Sequence, residues 1–573
     1  MAIVGLEIAK FLKLSLNPLQ NDLLKFRAVI HKLKPYLSIS DHRLLTPYES
    51  IKKGFGILKV KKPGMPLRPI ISSVFSMTSG AEIYILKIIK PLVKKCVFSA
   101  TSTKMLTDKF KKIASKFTKF HEVITIDAVS LFTSINVPRV VDHIIDLIYV
   151  DPEKYFSDNN LGSFPPMNIF KNFLMDVLLN FNSFETLNGF YRQRQGLSMG
   201  GKLSPALSNI LLNMLELKII KKYMDQKIVI FYCRYVDDGF LLVRKRYKNI
   251  ILSEMNNFDP FLKFTSDEMV NNSIKYLDTI VILNDDKLEL QQFHKPENVV
   301  LNYKRAISPL QYKNSCISGE IFRAKHCTSN DTNLELALTK LKQTFINNSY
   351  PLRVINKTIT EIKNRNFGPN PNKQVREADR NNPDLKFHSL TLAYTSHMCS
   401  KIASNLKKIT KKYTPNYRLN VIFKTITLEN IILPRLKPTK PLKLTPNSVY
   451  LFTCDCITET YVGQTYKILK SRVFQHGNRN NSHINKHITE CTQYKEALEN
   501  TYGTDPNDTQ CRNFLFNHFK CLKSNLTNWY ERTSYEGMCI TQLLPTLNKQ
   551  QKFRQQNMLC VCITKLTDFA AFE

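Results

Sequence analysis

The sequence predicts an α+β protein in which an antiparallel sheet carries acidic residues at one end. Segment 231–243 places Asp237 and Asp238 between two short apolar runs, which is typical of a strand, a turn and a second strand. Another apolar run, 123–126, ends at Asp127 and predicts a buried strand. Because side chains alternate along a strand, the apolar neighbours can be buried while the turn presents its carboxylates.

The length and composition of the chain predict several domains and a polyanionic partner. At 573 residues the chain is too long for one hydrophobic core and fits about two to four domains. Lys and Arg number 82 against 47 acidic residues, a formal net charge of +35, so affinity for nucleic acid should fall steeply with salt. The 13 cysteines do not suggest a secreted disulfide framework, and no apolar run reaches the roughly 18 residues of a membrane span. We therefore expect no membrane partner.

The paired aspartates are expected to bind divalent cations. Two adjacent carboxylates repel each other unless a cation neutralises them, and sites built only from oxygen atoms suit Mg²⁺. A two-metal site needs a further carboxylate to bridge the ions, and Asp127 supplies it. The neighbouring Ala128 is included among the magnesium ligands. For an Asp-Asp pair alone, a solvated acidic turn would be the simpler interpretation.

A glycine-containing loop, residues 194–205, lies between the two acidic elements. Its three glycines allow the backbone to approach a ligand closely. Ser204 and Pro205 predict a helix start, with the serine at the N-cap and the proline at the first helical position. Such a loop is a weak signal alone, but its place between the aspartate strand and the acidic hairpin makes the set specific.

This order of motifs resembles that of reverse transcriptases. Asp127 matches the first metal-binding aspartate of that family, and Gln195-Gly196 opens the motif that supports the template and the incoming nucleotide. Tyr235 to Asp238 match the catalytic hairpin. The resemblance implies a right-hand polymerase with fingers, an antiparallel palm sheet backed by helices, and a helical thumb, for which the apolar spacing between about 334 and 408 is suitable.

Two further elements concern the incoming nucleotide. Phe132 stands five residues after Asp127, where the family's bulky aromatic blocks a 2′-hydroxyl, so the resemblance implies a preference for deoxynucleotides. A core aromatic is the alternative. Segment 59–73 resembles the finger segment that contacts the triphosphate, and Arg68 is its best match because a planar fork suits phosphate oxygens. The sequence does not choose among the other candidates, Lys59, Lys61 and Lys62. Downstream, residues 276–283 predict one apolar strand.

A second set of catalytic residue types follows a basic, proline-containing segment. It comprises two tyrosines, an arginine, a histidine, a glutamate and an asparagine: Tyr450, Tyr461, Arg472, His476, Glu536 and Asn548. Arg472 and His476 are four residues apart and share one helix face. Such a set suits phosphodiester cleavage, because one acid can hold a metal, a tyrosine or histidine can take a proton from water, and an arginine can stabilise phosphoryl charge.

These residues resemble the catalytic set of GIY-YIG endonucleases, with Glu536 as the Mg²⁺ ligand. The first motif departs from the family pattern, since Tyr450 lies in Val-Tyr-Leu, and the second is Tyr-Val-Gly. Glu531 competes with Glu536, but the spacing of Glu536 fits the family's helix better. A degenerate nucleic-acid clamp that does not cut is the alternative.

Cysteines and histidines near the second site predict a structural zinc ion. The candidates are Cys454, Cys456, His483, His487 and Cys491. The three cysteines with either histidine could form a tetrahedral site, although the single residue between Cys454 and Cys456 is fewer than usual. Free thiols and surface histidines are the alternative.

The order of the two modules resembles Penelope-like retroelement proteins over roughly residues 50–550. That resemblance implies target-primed reverse transcription, in which the nuclease nicks DNA and the exposed 3′-hydroxyl primes copying of the element's RNA. The implied cofactors are two Mg²⁺ ions in the polymerase and one in the nuclease. The implied partners are template RNA, target DNA with its primer end, and deoxynucleoside triphosphates. Because the target is DNA, the implied location is the nucleus. A domesticated telomerase-like enzyme and a catalytically dead nucleic-acid-binding protein are the alternatives.

The predicted organisation has six parts. They are an N-terminal helical extension (1–50), reverse transcriptase fingers and palm (51–315), a helical thumb (316–410), a basic proline-containing linker (411–447), a GIY-YIG endonuclease with the zinc site (448–555) and a C-terminal tail (556–573).

Overall fold

A computed structural model describes most of the chain. The described residues are 11–59, 64–100, 102–113, 117, 120–284, 287–294, 300–364, 385–425, 445–478, 482–524, 526 and 529–548. The predicted tail lies outside them. The chain forms two compact units, residues 1–438 and 439–573, and each is described by itself. None of the described helices has the length and apolar character needed to cross a membrane.

The first unit contains fourteen labelled strands and fourteen labelled helices within the described ranges. The strands are β1 (Phe11–Leu14), β2 (Lys52–Leu58), β3 (Leu67–Ser72), β4 (His121–Ala128), β5 (Ser183–Thr186), β6 (Gly189–Gln193), β7 (Val229–Tyr235), β8 (Asp238–Arg244), β9 (Phe264–Glu268), β10 (Ser273–Tyr276), β11 (Thr279–Asn284), β12 (Lys287–Gln292), β13 (Lys386–Ala393) and β14 (Tyr417–Lys424). The helices are α1 (Leu19–Leu33), α2 (Ile39–Leu44), α3 (Ser79–Lys94), α4 (Thr103–Lys111), α5 (Val137–Tyr149), α6 (Pro152–Asp158), α7 (Met167–Met175), α8 (Ser204–Leu215), α9 (Lys221–Asp225), α10 (Lys248–Asn257), α11 (Leu310–Cys327), α12 (Asp331–Asn347), α13 (Leu352–Lys363) and α14 (His397–Tyr413).

A four-stranded antiparallel sheet in the order β7-β8-β4-β9 forms the centre of this unit. Alternate residues of its strands enter two different cores. Ile124 and Leu241 pack into the large core formed with α3, α5, α7 and α8, whereas Val123 and Leu242 pack into a smaller core with α4 and β10–β12. The sheet is therefore covered on both faces, and the predicted antiparallel acidic sheet is confirmed.

A second sheet of this unit has five strands in the order β1-β6-β5-β2-β3. β2 and β3 form an antiparallel hairpin, and β2 also pairs with β5 in the parallel direction. The expected helical extension is correct for α1 and α2 but wrong for Phe11–Leu14, which pairs with β6 as an edge strand. Burial along this run does not alternate, so its identity as a strand comes from main-chain pairing with β6, in which Phe11 lies opposite Gln193 and Leu14 opposite Phe190.

The segment predicted as one strand, residues 276–283, is instead a hairpin. β10 ends at Tyr276 and β11 begins at Thr279, with Leu277 in the left-handed conformation between them. The apolar run continues through the turn because Leu277 packs against the smaller core. The sequence therefore contains no typical turn residue at position 277.

Helices α11 to α13 form a bundle around Phe345, which is fully buried. The chain then departs from the predicted helical region, because β13, α14 and β14 form a β-α-β unit whose two strands pair in parallel. The helical prediction for the thumb (316–410) is therefore wrong at β13, although α14 is helical as expected, and the predicted linker (411–447) is wrong up to residue 424, a range in which α14 ends and β14 forms. Leu390 and Leu392 alternate with polar residues, so their period is that of a strand. Residues 426–444 of the linker lie outside the described part.

The second unit is a three-stranded antiparallel sheet with helices on both faces. Its strands are β15 (Ser448–Thr453), β16 (Thr460–Thr465) and β17 (Phe519–Lys523), in the order β16-β15-β17. Its helices are α15 (Leu469–Asn478), α16 (His483–Glu490), α17 (Thr492–Tyr502), α18 (Asp508–Asn517) and α19 (Trp529–Leu543). Tyr450 and Phe452 point to a core with α15 to α18, whereas Val449 points to a core with α19.

Candidate active sites

The acidic hairpin lies at the end of the central sheet. β7 and β8 are joined by Val236 and Asp237, and Val236 has a φ of +59°. Asp127 of β4 is the register partner of Asp238, and the main-chain N–H of Ala128 donates to the carbonyl oxygen of Asp237 at 3.4 Å. The three aspartates predicted to act together therefore occupy one end of one sheet.

The surroundings of these carboxylates suit a cation site. Asp127 and Asp237 are exposed and Asp238 is half-buried, whereas Ile126, Ala128 and Gly239 beside them in the strands are buried. The donor set consists of carboxylate oxygens, to which Ala128 can add only its main-chain carbonyl. Oxygen donors of this kind fit Mg²⁺.

A buried ion pair supports the turn of this hairpin, and sequence reasoning missed it. Arg234 donates from Nε to Glu216 Oε1 at 2.6 Å, and both side chains are almost completely inaccessible to solvent. The Nη1 of Arg234 also donates to the carbonyl oxygen of Val236 at 2.8 Å and to Asn209 Oδ1 at 2.9 Å. Burial raises the pKa of Glu216, and the charge of Arg234 opposes that rise. The only sequence signal was a charged residue inside each of two apolar elements.

The glycine loop packs directly against the segment that follows the first aspartate. Leu197 donates its main-chain N–H to the carbonyl oxygen of Phe132 at 2.7 Å. Gly196 has a φ of +71°, and a Cβ at that position would lie 2.4 Å from the carbonyl oxygen of Thr133. Glycine is therefore required at 196, both by the conformation and by the close approach of two main chains. The ring of Phe132 is half-buried at the edge of the large core.

The same loop is tied to the five-stranded sheet. Ile71 of β3 donates its N–H to the carbonyl oxygen of Met199 at 2.7 Å, and Lys202 donates its N–H to buried Glu82 at 2.9 Å. Ser204 is the first residue of α8 rather than its predicted N-cap, and its hydroxyl donates to the carbonyl oxygen of Ser198 at 2.7 Å. Pro205 is consequently the second residue of α8, one position later than predicted, and still lies in the first helical turn.

The remaining nucleotide-binding candidates are spread over two regions. Arg68 is exposed on β3, paired with Ile57 of β2, and Lys59 lies at the end of that hairpin. Lys61 and Lys62 lie outside the described residues. Gln195 is half-buried in the glycine loop, and Tyr235 is half-buried at the end of β7.

In the second unit, three predicted catalytic residues form one hydrogen-bonded group. The hydroxyl of Tyr450 is fully buried, accepts from Arg472 Nε at 3.1 Å and shares a hydrogen bond with His476 Nε2 at 2.8 Å. The other ring nitrogen of His476, Nδ1, lies 2.8 Å from the hydroxyl of Ser482. Burial raises the pKa of Tyr450, and Arg472 opposes that rise.

Glu536 and Tyr461 complete this site. Glu536 on α19 accepts a hydrogen bond from Gln464 Nε2 at 2.8 Å. Burial raises the pKa of Glu536, which that hydrogen bond opposes. Burial also raises the pKa of Tyr461, and the negative charge of Glu536 adds to the rise. Gly463 fits closely between the tyrosines, because a Cβ there would lie 2.6 Å from the hydroxyl oxygen of Tyr450. The side chain of the competing Glu531 lies outside the described atoms.

Asn548 supports the sheet in the second unit. Its Oδ1 accepts a hydrogen bond from the main-chain N–H of Val462 at 2.9 Å, and its Nδ2 donates to the main-chain carbonyl oxygen of Val462 at 2.8 Å. The side chain thus extends β16 along its free edge. The predicted catalytic asparagine holds the strand between Tyr461 and Gly463 in place.

Four of the five zinc-ligand candidates lie close together, and the fifth does not. Cys454, Cys456, His487 and Cys491 each offer one ligand atom, and these atoms lie within 4.8 Å of one another. The Sγ atoms of Cys454 and Cys491 are 3.7 Å apart, and Cys456 Sγ lies 3.6 Å from His487 Nε2. His483, one turn earlier on α16, is not part of the group. Three sulfurs and one imidazole fit a tetrahedral zinc site.

Comparisons with known proteins identify one part of the chain. Residues 60–263 match the family model for the reverse transcriptase (RNA-dependent DNA polymerase), so they form a reverse transcriptase domain. This range contains the acidic hairpin, the first aspartate and the glycine loop. Residues 301–360 match the model for the animal helix-turn-helix domain, at α11 to α13. No curated protein matches the chain.

Solved structures of polymerases are similar to the chain at low identity. Telomerase from Candida albicans, in complex with a TWJ fragment of telomeric RNA, is 12% identical over 62% of this chain and 62% of that chain, with a TM-score of 0.37. Apo telomerase from Candida tropicalis is 12% identical over 63% and 67%, with a TM-score of 0.35. The Sicinivirus 3Dpol RNA-dependent RNA polymerase is 11% identical over 57% and 71%, with a TM-score of 0.36. The chain spans less than two thirds of the Candida albicans telomerase.

Proposed function

We propose that this chain is the RNA-directed DNA polymerase and DNA-nicking endonuclease of a Penelope-like retroelement, acting by target-primed reverse transcription in the nucleus. One observation carries the polymerase half: the register that pairs Asp127 with Asp238 beside the Asp237 turn, inside the reverse transcriptase domain. The nuclease half is supported by the hydrogen-bonded group of Tyr450, His476 and Arg472.

In the polymerase, the residues of the palm position the reactants. Asp127, Asp237 and Asp238, with the carbonyl oxygen of Ala128, would hold two Mg²⁺ ions, which supply activation of the primer 3′-hydroxyl and charge stabilisation of the leaving pyrophosphate. Arg234 fixes the turn that carries Asp237. The Gln195-Gly196 loop supports the template and incoming nucleotide, and Arg68 binds the triphosphate.

The half-buried ring of Phe132 provides the sugar selection. It follows Asp127 by five residues and is held through its own main chain, which accepts the N–H of Leu197. A ring in this position would clash with a ribose 2′-hydroxyl, so deoxynucleotides are the preferred substrates.

In the nuclease, buried Tyr450 positions the groups around the phosphodiester. Its hydroxyl, which is closed to solvent, holds His476 and Arg472 by hydrogen bonds, and Ser482 holds the other ring nitrogen of His476. The half-buried Tyr461 hydroxyl can accept a hydrogen bond from the attacking water and orient it. Arg472 stabilises the charge that develops on the phosphate. Glu536 would hold one Mg²⁺, which supplies further charge stabilisation at the phosphodiester. Cys454, Cys456, His487 and Cys491 would hold a structural Zn²⁺.

Two separate assays test the halves of this proposal. Primer extension on an RNA template with a supplied DNA primer should fall about a hundredfold or more in Asp237→Ala, whereas Asp158→Ala, an exposed acid on α6, should match wild type. Nicking of supercoiled DNA should fall similarly in Glu536→Ala but not in Glu496→Ala, an exposed acid on α17. Near-normal extension by folded Asp237→Ala would exclude the polymerase site, and near-normal nicking by folded Glu536→Ala would exclude the nuclease site.

A further inference from the structure

The β-α-β unit at residues 386–424 has an extreme charge composition. It contains seven lysines and one arginine but no aspartate or glutamate. In the chain as a whole, 82 basic residues are accompanied by 47 acidic ones, so the absence of acids is particular to this unit. The unit therefore has a positive field that its own residues do not neutralise, and a polyanion fits it best.

Among the described residues, none covers one face of its two-stranded sheet. Helix α14 covers the other face, where Leu392 and Val421 form a small core with Ala403. Side chains of the opposite parity point away from α14, among them Phe387 and Ile422, which are 48% and 44% exposed. In the parallel register, Phe387 lies beside Arg418. We call the surface formed by Phe387, Ser389, Thr391, Arg418, Asn420 and Ile422 the open face.

The chemistry of the open face suits unpaired bases. An exposed aromatic ring with an arginine beside it provides a surface on which bases stack, and the guanidinium can also meet a phosphate. Hydroxyl and amide groups from Ser389 and Asn420 lie on the same side of the sheet and can bond base edges or a 2′-hydroxyl. A duplex hides its bases and offers nothing to stack, so a single strand fits this surface better.

We propose that the open face binds single-stranded RNA. In the context of the proposed function, on which this assignment of the ligand rests, the RNA is the unpaired part of the template. The unit is joined to the preceding helical bundle by a hydrogen bond from the Tyr312 hydroxyl to the carbonyl oxygen of Phe423 at 3.1 Å. RNA held here is thus attached to the same compact unit that contains the reverse transcriptase domain.

The test measures binding of a fluorescently labelled single-stranded RNA of mixed sequence to the full chain by anisotropy, without divalent cations, across a range of salt concentrations. Phe387→Ala should weaken binding about fivefold or more through loss of base stacking. Phe120→Ala removes another exposed ring, before β4, which at 68% is more exposed than that of Phe387, and should leave the affinity within twofold of wild type. Equal loss in both variants, or no loss in Phe387→Ala, would overturn the proposal.

A matched pair of charge variants locates the phosphates. Arg418→Gln/Lys424→Gln removes two charges from the strand that lines the open face, whereas Lys408→Gln/Lys412→Gln removes two from the exposed side of α14, on the far side of the unit. The first should reduce the salt slope of log K by about 1.4, as two phosphate contacts of a single strand predict, and weaken binding about tenfold. The second should weaken binding by threefold or less. If the α14 variant has the larger effect, the open face is not the site. The exposed Lys424→Gln alone should show half the slope change if the double variant unfolds.

Competing ligands separate this inference from the proposed function. Duplex DNA or vesicles of anionic lipid that displace the labelled RNA, with an affinity equally reduced by Phe387→Ala, would contradict RNA as the ligand. The proposed function would be contradicted by a different result. If wild type cannot extend a primer but its RNA binding still depends on Phe387, the RNA site stands and the polymerase activity is excluded.

Discussion

Replacing Arg234 with methionine tests how the catalytic turn is held. The change leaves the carboxylate of Glu216 buried without its ionic partner, and the carbonyl oxygen of Val236 and the side chain of Asn209 each lose a donor. Breaking a buried ion pair from one side costs about 3–5 kcal/mol. Arg234→Met should therefore lower the free energy of unfolding of the first unit by about that amount and reduce primer extension at least tenfold.

The double variant Arg234→Met/Glu216→Met separates stability from positioning. With neither charge present, no unpaired ion is buried, so most of the lost stability should return. Primer extension should stay low, because nothing donates to Val236 in place of Arg234. Urea unfolding followed by far-UV circular dichroism measures the stability. Fluorescence of Trp529, the sole tryptophan of the chain, reports the second unit and should show an unchanged transition.

The single variant should also acquire a pH dependence. Burial already raises the pKa of Glu216 and the charge of Arg234 opposes that rise, so without the arginine the folded pKa rises further. When the pKa of a carboxyl group is higher in the folded protein than in the unfolded chain, the free energy of unfolding falls as the pH rises. Arg234→Met should therefore lose stability relative to wild type above pH about 4.3, which is the pKa of a glutamate in an unfolded chain. Glu216→Met in the same chain should abolish this trend. Wild-type stability in Arg234→Met, or full polymerase activity in the stable double variant, would refute the account of the turn.

Three further changes test other parts of the sites. Phe132→Val should raise incorporation of ribonucleotides relative to deoxynucleotides at least tenfold, measured as the ratio of kcat/KM values, and an unchanged ratio would make the ring merely structural. Gly196→Ala should nearly abolish extension, because its Cβ would lie 2.4 Å from the Thr133 carbonyl oxygen, and normal activity would contradict the close packing of the two main chains. His487→Ala should lose about one bound zinc per chain by metal analysis whereas His483→Ala keeps it, and equal zinc in both proteins would exclude the proposed ligand set.

The features that could be predicted from the sequence are those controlled by apolar periodicity and local chemistry. The strand before Asp127 and the hairpin at Asp237 follow from apolar runs that end in carboxylates, and both form because alternate residues enter two cores. Tyr450, Arg472 and His476 come together because their spacing fits a strand and one helix face.

What the sequence missed depends on tertiary contacts. Arg234 and Glu216 are 18 residues apart, and nothing local indicates that they pair inside the core. The choice between His483 and His487 depends on how α16 packs, since both lie on the same helical face. β13 lies within the region that the apolar spacing between about 334 and 408 predicts to be helical, and its identity as a strand comes from parallel pairing with β14 across the length of α14.

Coupling of the two activities is the central claim, and one reaction tests it most directly. Supercoiled DNA without an added primer is incubated with Mg²⁺, an RNA template, labelled deoxynucleotides and wild type, Asp237→Ala or Glu536→Ala. We expect that wild type nicks the DNA and extends the nick into complementary DNA, that Asp237→Ala only nicks, and that Glu536→Ala extends only DNA nicked beforehand. Extension of a supplied primer with no cutting of DNA by wild type would contradict it and would favour a polymerase that uses DNA ends already present.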